Sequence, residues 1–274
     1  MSRSALLLVL VSFLLITGCK NDNPPPAGWD IPHDAVPANI LPLVKGHRYS
    51  FSGYLTSGST ETKIAGSEDL KASWTMIGDT TLASVFPNPL ISHLSVTRAV
   101  LVIDSASATG KPLTISPVFV YKNSTSGDYY YLTNFGNFFR TKDIWKSDTN
   151  KTARADSLRF IKLSAGGATL NAPFTVFSET FQSFNFGATP VAITLEIIGN
   201  YEKKESLSLT INGKDTTVTA YYLSVTNNAK IGTLNQTSVN AKFWLADGIG
   251  PVKFFLAGDS DGPGSFRTIT GKNF

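Results

Sequence analysis

From Lys45 onward the chain alternates large apolar with small polar side chains at a period of two, the pattern of strands with one buried face. Tyr49, Phe51 and Gly53-Tyr54 alternate with Arg48, Ser50 and Ser52 and predict a first strand. Further strands are expected over Lys71 to Ile77, His93 to Asp104, Leu113 to Tyr121, and Tyr129 to Phe135. The last of these follows the hairpin turn Ser126-Gly127-Asp128. Phe174 to Phe186 is a long aromatic run, and Val191 to Tyr201 comes next. The clearest hairpin is Ser206 to Val225, because Asn212-Gly213 is the preferred pair for a type I′ turn, where both positions need positive φ. Ala241 to Leu245 and Val252 to Leu256 form a last pair across Gly248-Ile249-Gly250-Pro251. Ala153 to Leu163 offers a short helix, although Phe160-Ile161-Lys162-Leu163 also suits a strand. Turn signals at short intervals then predict an antiparallel, all-β or β-rich architecture with at most one or two short helices. No repeat or second linker divides the body, so residues 45–274 read as a single domain.

The first residues follow a different rule. After Arg3 an apolar run extends from Ala5 to Ile16, broken only by Ser12. It is shorter than the ~20 residues that span a bilayer, and it ends in small residues, as a secretory leader does. Leu15-Ile16-Thr17-Gly18-Cys19 resembles the lipobox of bacterial lipoproteins. That resemblance implies removal of residues 1–18 and a diacylglyceryl group on the sulfur of Cys19. It also implies a further acyl chain on the new amino terminus; two or three chains anchor a protein stably where one does not. Lys20, in place of an aspartate, implies the outer membrane as the destination, on its periplasmic face or at the cell surface. Lys20 and Asp22 partly fit the surface-export pattern of Bacteroidota-type lipoproteins. Residues 19–44 form the tether, stiffened by Pro24-Pro25-Pro26, Pro32 and Pro37.

Composition narrows the options. Cys19 is the sole cysteine, so the body folds without disulfides. A body of this size manages that, since it buries about three quarters of its unfolded surface. The formal charge of +4 falls by one when Arg3 leaves with the leader, too mild and too scattered a balance for nucleic acid.

Two segments resemble a group of bacterial lipoproteins described as TapB-like, whose activity is not established. One is Leu43-Val44-Lys45-Gly46-His47-Arg48-Tyr49-Ser50-Phe51; the other is Phe243-Trp244-Leu245-Ala246-Asp247-Gly248-Ile249-Gly250-Pro251-Val252-Lys253. The resemblance implies a strongly curved antiparallel sheet, an open half-barrel similar to the carriers of the LolA/LolB type, with a sandwich as the alternative. Such a sheet cradles an acyl chain or a peptide. Gly248 and Gly250 serve a tight turn; a phosphate loop is excluded because no helix start with a third glycine follows.

His33, His47 and His93 stand far apart in no ligand spacing. Asp259-Ser260-Asp261-Gly262 opens like a calcium loop but lacks the later acidic ligand, and reads as a turn. No Gly-x-Ser-x-Gly elbow is present. Asp104, Asp128, Glu179, Glu196 and Glu202 are acid–base candidates by type alone. The aromatic surplus is the stronger signal. Tyr129-Tyr130-Tyr131, Phe135, Phe138-Phe139 and Trp145 crowd one stretch beside Arg140 and Lys142. Consecutive tyrosines on a strand point to both faces, so one set builds core and the other either binds a ligand or is covered too. Tyr129, Tyr130, Tyr131, Phe135 and Trp145 are therefore the candidate ligand-binding residues. The expectation is a lipid-anchored envelope binding or scaffold protein, not an enzyme, without cofactor or metal. Its partners are the membrane through Cys19 and a lipid, glycan or envelope protein. A surface carbohydrate-binding or adhesion module is the alternative, and a carboxylate hydrolase of the envelope comes third.

Overall fold

The computed structural model describes residues 36–37, 39–81, 95–104, 114–123, 125–134, 158–165, 167–186, 189–231, 233–258 and 262–274. Among them the regular elements are all strands. In chain order these are β1 (Arg48–Thr56), β2 (Leu70–Thr81), β3 (Ser95–Asp104), β4 (Thr114–Lys122), β5 (Tyr129–Asn134) and β6 (Leu158–Ser164). Then follow β7 (Phe174–Phe186), β8 (Thr189–Ile211), β9 (Lys214–Ile231), β10 (Leu234–Ala246), β11 (Gly250–Leu256) and β12 (Gly264–Lys272). The short helix considered over Ala153 to Leu163 is instead strand from Leu158; residues 153–157 lie outside the described residues. Alternation on a pleated surface, with Phe160 and Ile161 pairing to β5, outweighs the helical spacing of Leu158 and Ile161.

All twelve strands share one sheet, in the order β6-β5-β4-β3-β2-β1-β12-β11-β10-β9-β8-β7, with every pairing antiparallel. The chain meanders outward from β1 to β6, restarts at the far edge with β7, and meanders back until β12 pairs with β1. The two edge strands touch without pairing, so the sheet is curved but not closed into a barrel. The curvature is strong. Ser164 on β6 hydrogen-bonds the hydroxyl of Tyr201 on β8, although ten strand positions separate them in the sheet. At the usual strand spacing that would be about 48 Å on a flat sheet.

Bulges produce the bending and also hide part of the pattern. β8 runs unbroken through 23 residues, where the alternation predicted two strands, Val191 to Tyr201 and one from Ser206. Its register with β9 shifts between Tyr201 and Lys203, which flips the phase of alternation without ending the strand. Another shift, between Ser50 and Phe51, falls near the end of β12, a strand the alternation does not announce because its large apolar residues, Phe266 and Ile269, face opposite sides. The Asn212-Gly213 turn forms as expected, with φ of 54° and 73°. The distal part of this hairpin projects past the end of β10, and its tip reaches β12. There Asn212 N donates to Thr270 O at 2.9 Å, its Nδ2 to Lys272 O at 2.6 Å, and its Oδ1 accepts from Lys272 N at 3.1 Å. Ile211 and Val218 on the arm are buried in the core.

The packed core reaches back to Val36. Val36, Ile40 and Leu41 are 1%, 0% and 2% exposed and belong to the main apolar cluster. Val36 N donates to Ala168 O, in the β6–β7 connection, and Asn39 O accepts from Gly248 N, in the β10–β11 turn. This short segment therefore crosses the end of the sheet at which β1 begins, here termed the upper end.

Candidate functional site: the concave face

Residues in register across adjacent strands lie on one face, so the pairings separate the two sides of the sheet. Tyr49 pairs with Trp74, Phe51 with Ile269, Arg267 with Phe254, Phe254 with Phe243, Phe243 with Leu223 and Leu223 with Tyr201. Tyr129 pairs with Ser164, whose hydroxyl meets Tyr201 across the seam. This set faces inward.

At the upper end the concavity is filled. Tyr49, Tyr129 and Tyr201 are each 0% exposed and belong to the same apolar cluster as Val36, Ile40 and Leu41. Burial pushes the hydroxyl of Tyr49 far up, and Tyr129 adds to it. Burial does the same to Tyr201; the Ser164 bond opposes the shift and Tyr129 reinforces it. Tyr49 and Tyr201 are thus held neutral. Phe174 packs on Tyr201 and lies where Gly199 leaves room for its ring.

Further down, the concave face stays partly open. Phe51 is buried, but Phe254, Phe243 and Leu256 are only half-buried. The Phe51 and Phe254 rings meet edge to face at 5.3 Å, and Phe254 and Phe243 at 6.5 Å, forming an aromatic wall across β1, β11 and β10. Next to it stands Arg267, 4% exposed. Its Nη1 donates to Tyr54 O at 3.1 Å and to Phe266 O at 3.2 Å. No carboxylate pairs with it among the described residues, and burial alone lowers its pKa. Burying a guanidinium without a counter-charge is unfavourable, and the two backbone carbonyls only partly offset that. Gly53 opposite is obligatory in size, because a methyl there would overlap the Phe266 carbonyl oxygen. Tyr49 Oη, Trp74 Nε1 and Asn227 Oδ1 also face inward, buried and unpartnered among the described residues.

The tyrosine strand divides as its alternation requires. Tyr129 and Tyr131 point inward, the first fully buried and the second half-buried against the core. Tyr130 points outward, with its ring 6.1 Å from Tyr121 and Lys162 Nζ 5.9 Å from its centre. Phe135, Trp145 and Cys19 lie outside the described residues. Asp128 is bound to Lys162 at 3.1 Å, and none of Asp104, Asp128, Glu179, Glu196 and Glu202 is the register partner of another. Among the described residues no group of three metal-ligating side chains gathers. His47 stacks on Phe274 at 3.8 Å, whereas His33, His93, Asp259 and Asp261 lie outside the described residues.

The outer face carries an aromatic ladder that sequence reasoning missed. Tyr222 and Trp244 are 5.0 Å apart, Trp244 and Phe266 6.2 Å, and Phe266 and Tyr54 5.2 Å. Lys253 Nζ sits 4.8 Å above the Trp244 ring, and Lys203 Nζ 5.3 Å above Tyr222. Glu205 accepts from Trp244 Nε1 at 2.5 Å and from Lys203 at 2.9 Å. Burial tends to raise the Glu205 carboxyl, but these two hydrogen bonds, together with the charges of Lys203 and Lys253, outweigh it and hold the pKa below the ordinary value. Burial, with Glu202, Glu61 and Glu205 nearby, pushes the Tyr222 hydroxyl up to about 12. The rings are packed against each other and capped by lysines rather than laid out as an open platform.

The molecule is thus an open, strongly curved antiparallel sheet with a filled upper end and an apolar concave wall beside one buried cation. No family model and no curated protein matches the chain. Two solved structures are similar to it in fold. A candidate lipoprotein from Parabacteroides distasonis is 12% identical with a TM-score of 0.45, over 87% of this chain and 100% of that one. A candidate exported protein with a YmcC-like fold from Bacteroides fragilis is 9% identical with a TM-score of 0.44, over 85% of this chain and 98% of that one.

Proposed function

We propose that this chain is a lipid-anchored binding protein of the cell envelope that holds an apolar ligand on the concave face of its sheet. The observation that carries the reading is the half-buried wall of Phe243, Phe254 and Leu256 on a face whose other end is filled. Large apolar side chains left accessible inside a concavity are the usual lining of a small-molecule site. The anchor is Cys19, the sole cysteine, within Leu15-Ile16-Thr17-Gly18-Cys19. Lys20 after it favours the outer membrane, and the proline-rich stretch ahead of Val36, with Pro24-Pro25-Pro26 and Pro32, has the composition of a spacer between anchor and body. The chain acts by binding rather than by catalysis. The lysine caps on the outer aromatic ladder argue against a sugar-stacking platform there.

Native mass spectrometry of the full chain, purified from membranes in a non-ionic detergent, tests the reading. The expected result is a bound mass that organic solvent extracts as lipid. A protein that carries no such mass, and takes up none when exposed to envelope lipid extract, overturns it. Cys19→Ser is expected to move the protein from the membrane pellet to the soluble fraction. Retention in the pellet would overturn the anchor.

A further inference from the structure

Arg267 is the one charged side chain among the buried polar residues of the described chain. Among the described residues only Nη1 has partners, both backbone carbonyls, and those neutralise no charge. Nε and Nη2 make no hydrogen bond among the described residues, and neither is among the fully enclosed unpartnered atoms. A guanidinium fork with two unused edges, in a surrounding that strengthens electrostatics, is built to take a carboxylate or phosphate in bidentate fashion. What stands next to it fixes the rest of the ligand. Phe254 is its register partner on β11, and Phe51 and Phe243 extend the same wall.

We propose that Arg267 is an anion-recognition point on the concave face, and that the ligand held there is an amphiphile with an oxyanion head on an acyl chain. The inference rests on the reading of the concave face as an apolar site and adds the charge of its occupant. The head engages Nε and Nη2 of Arg267, and the chain lies along Phe254 and Phe243. The ligand's charge offsets the cost of burying the cation, so binding and folding reinforce each other.

The test compares two probes of equal chain length, palmitate and hexadecanol, on the full chain in non-ionic detergent, by native mass spectrometry. Wild type is expected to bind palmitate at least tenfold more tightly than hexadecanol. Arg267→Met is expected to lower palmitate binding to the hexadecanol level and leave hexadecanol unchanged. A third probe, 1-palmitoyl lysophosphatidate, distinguishes the head: tighter binding than palmitate assigns a phosphate, weaker binding a carboxylate. Equal binding of palmitate and hexadecanol by wild type overturns the role of Arg267 and leaves the apolar site standing. If wild type binds none of the three, the apolar-site reading itself fails. Should Arg267→Met not fold, the wild-type ratio of palmitate to hexadecanol decides alone.

Discussion

Single residues set how closely the strands approach and what the two faces carry. Gly53 has no space for a side chain, because β12 presents the Phe266 carbonyl at that point. Gly53→Ala is expected to destabilise the fold by roughly 2 kcal/mol or more, read by urea unfolding, since overpacking against backbone has little room to relax. An unchanged midpoint would show that β1 and β12 are not packed as described. His47 supplies a pH signal. Burial, and then Lys272, lowers its pKa from the ordinary 6.5. The unfolded chain therefore binds the proton first as pH falls. The His47 contribution is complete above pH 6.5 and is lost as pH drops towards its folded-state pKa. In thermal melts, His47→Phe is expected to reduce the loss of stability in that window while preserving the stack on Phe274; an unaltered slope would contradict it. At this scale the sequence was partly legible. The opposed facing of Tyr129 and Tyr130 followed from strand geometry alone. Arg267 was invisible, because Ser265-Phe266-Arg267-Thr268 looks like an ordinary polar stretch until β12 is placed between β1 and β11.

Elements were legible where alternation ran undisturbed and obscure where bulges reset it. β7 spans the residues that its phenylalanines marked, and Asn212-Gly213 forms its turn. The continuous β8 was hidden because a bulge changes which face the next residue meets, and β12 because Phe266 and Ile269 lie on opposite faces of a largely polar stretch. The reach of the β8–β9 arm to β12 depends on contacts across 60 residues, which no local pattern encodes. Asn212 makes two side-chain hydrogen bonds there, so Asn212→Ala is expected to cost about 2 kcal/mol. Amide exchange at Lys272, whose N–H the side chain accepts, should quicken in the same variant. Unchanged exchange at Lys272 would mean that the arm does not clasp β12.

For the whole molecule, the composition of residues 19–44 signalled a proline-rich tether and concealed that its last part is core. Proline dominates the local reading, while the burial of Val36, Ile40 and Leu41 is created by a sheet that curls around them. Leu41→Ala is expected to cost about 2–5 kcal/mol, as for other buried leucines, whereas a tether residue would show almost none. The same curl divides the concavity into a filled upper end and an accessible aromatic wall, and the proposed function depends on that division. Site-specific photo-crosslinking in living cells, with benzoylphenylalanine at Phe254 inside the sheet and at Tyr130 outside it, tests this most directly. Lipid-derived adducts from position 254, with none from position 130, are the expected result. Equal labelling at both positions, or none at 254, would contradict a ligand site on the concave face.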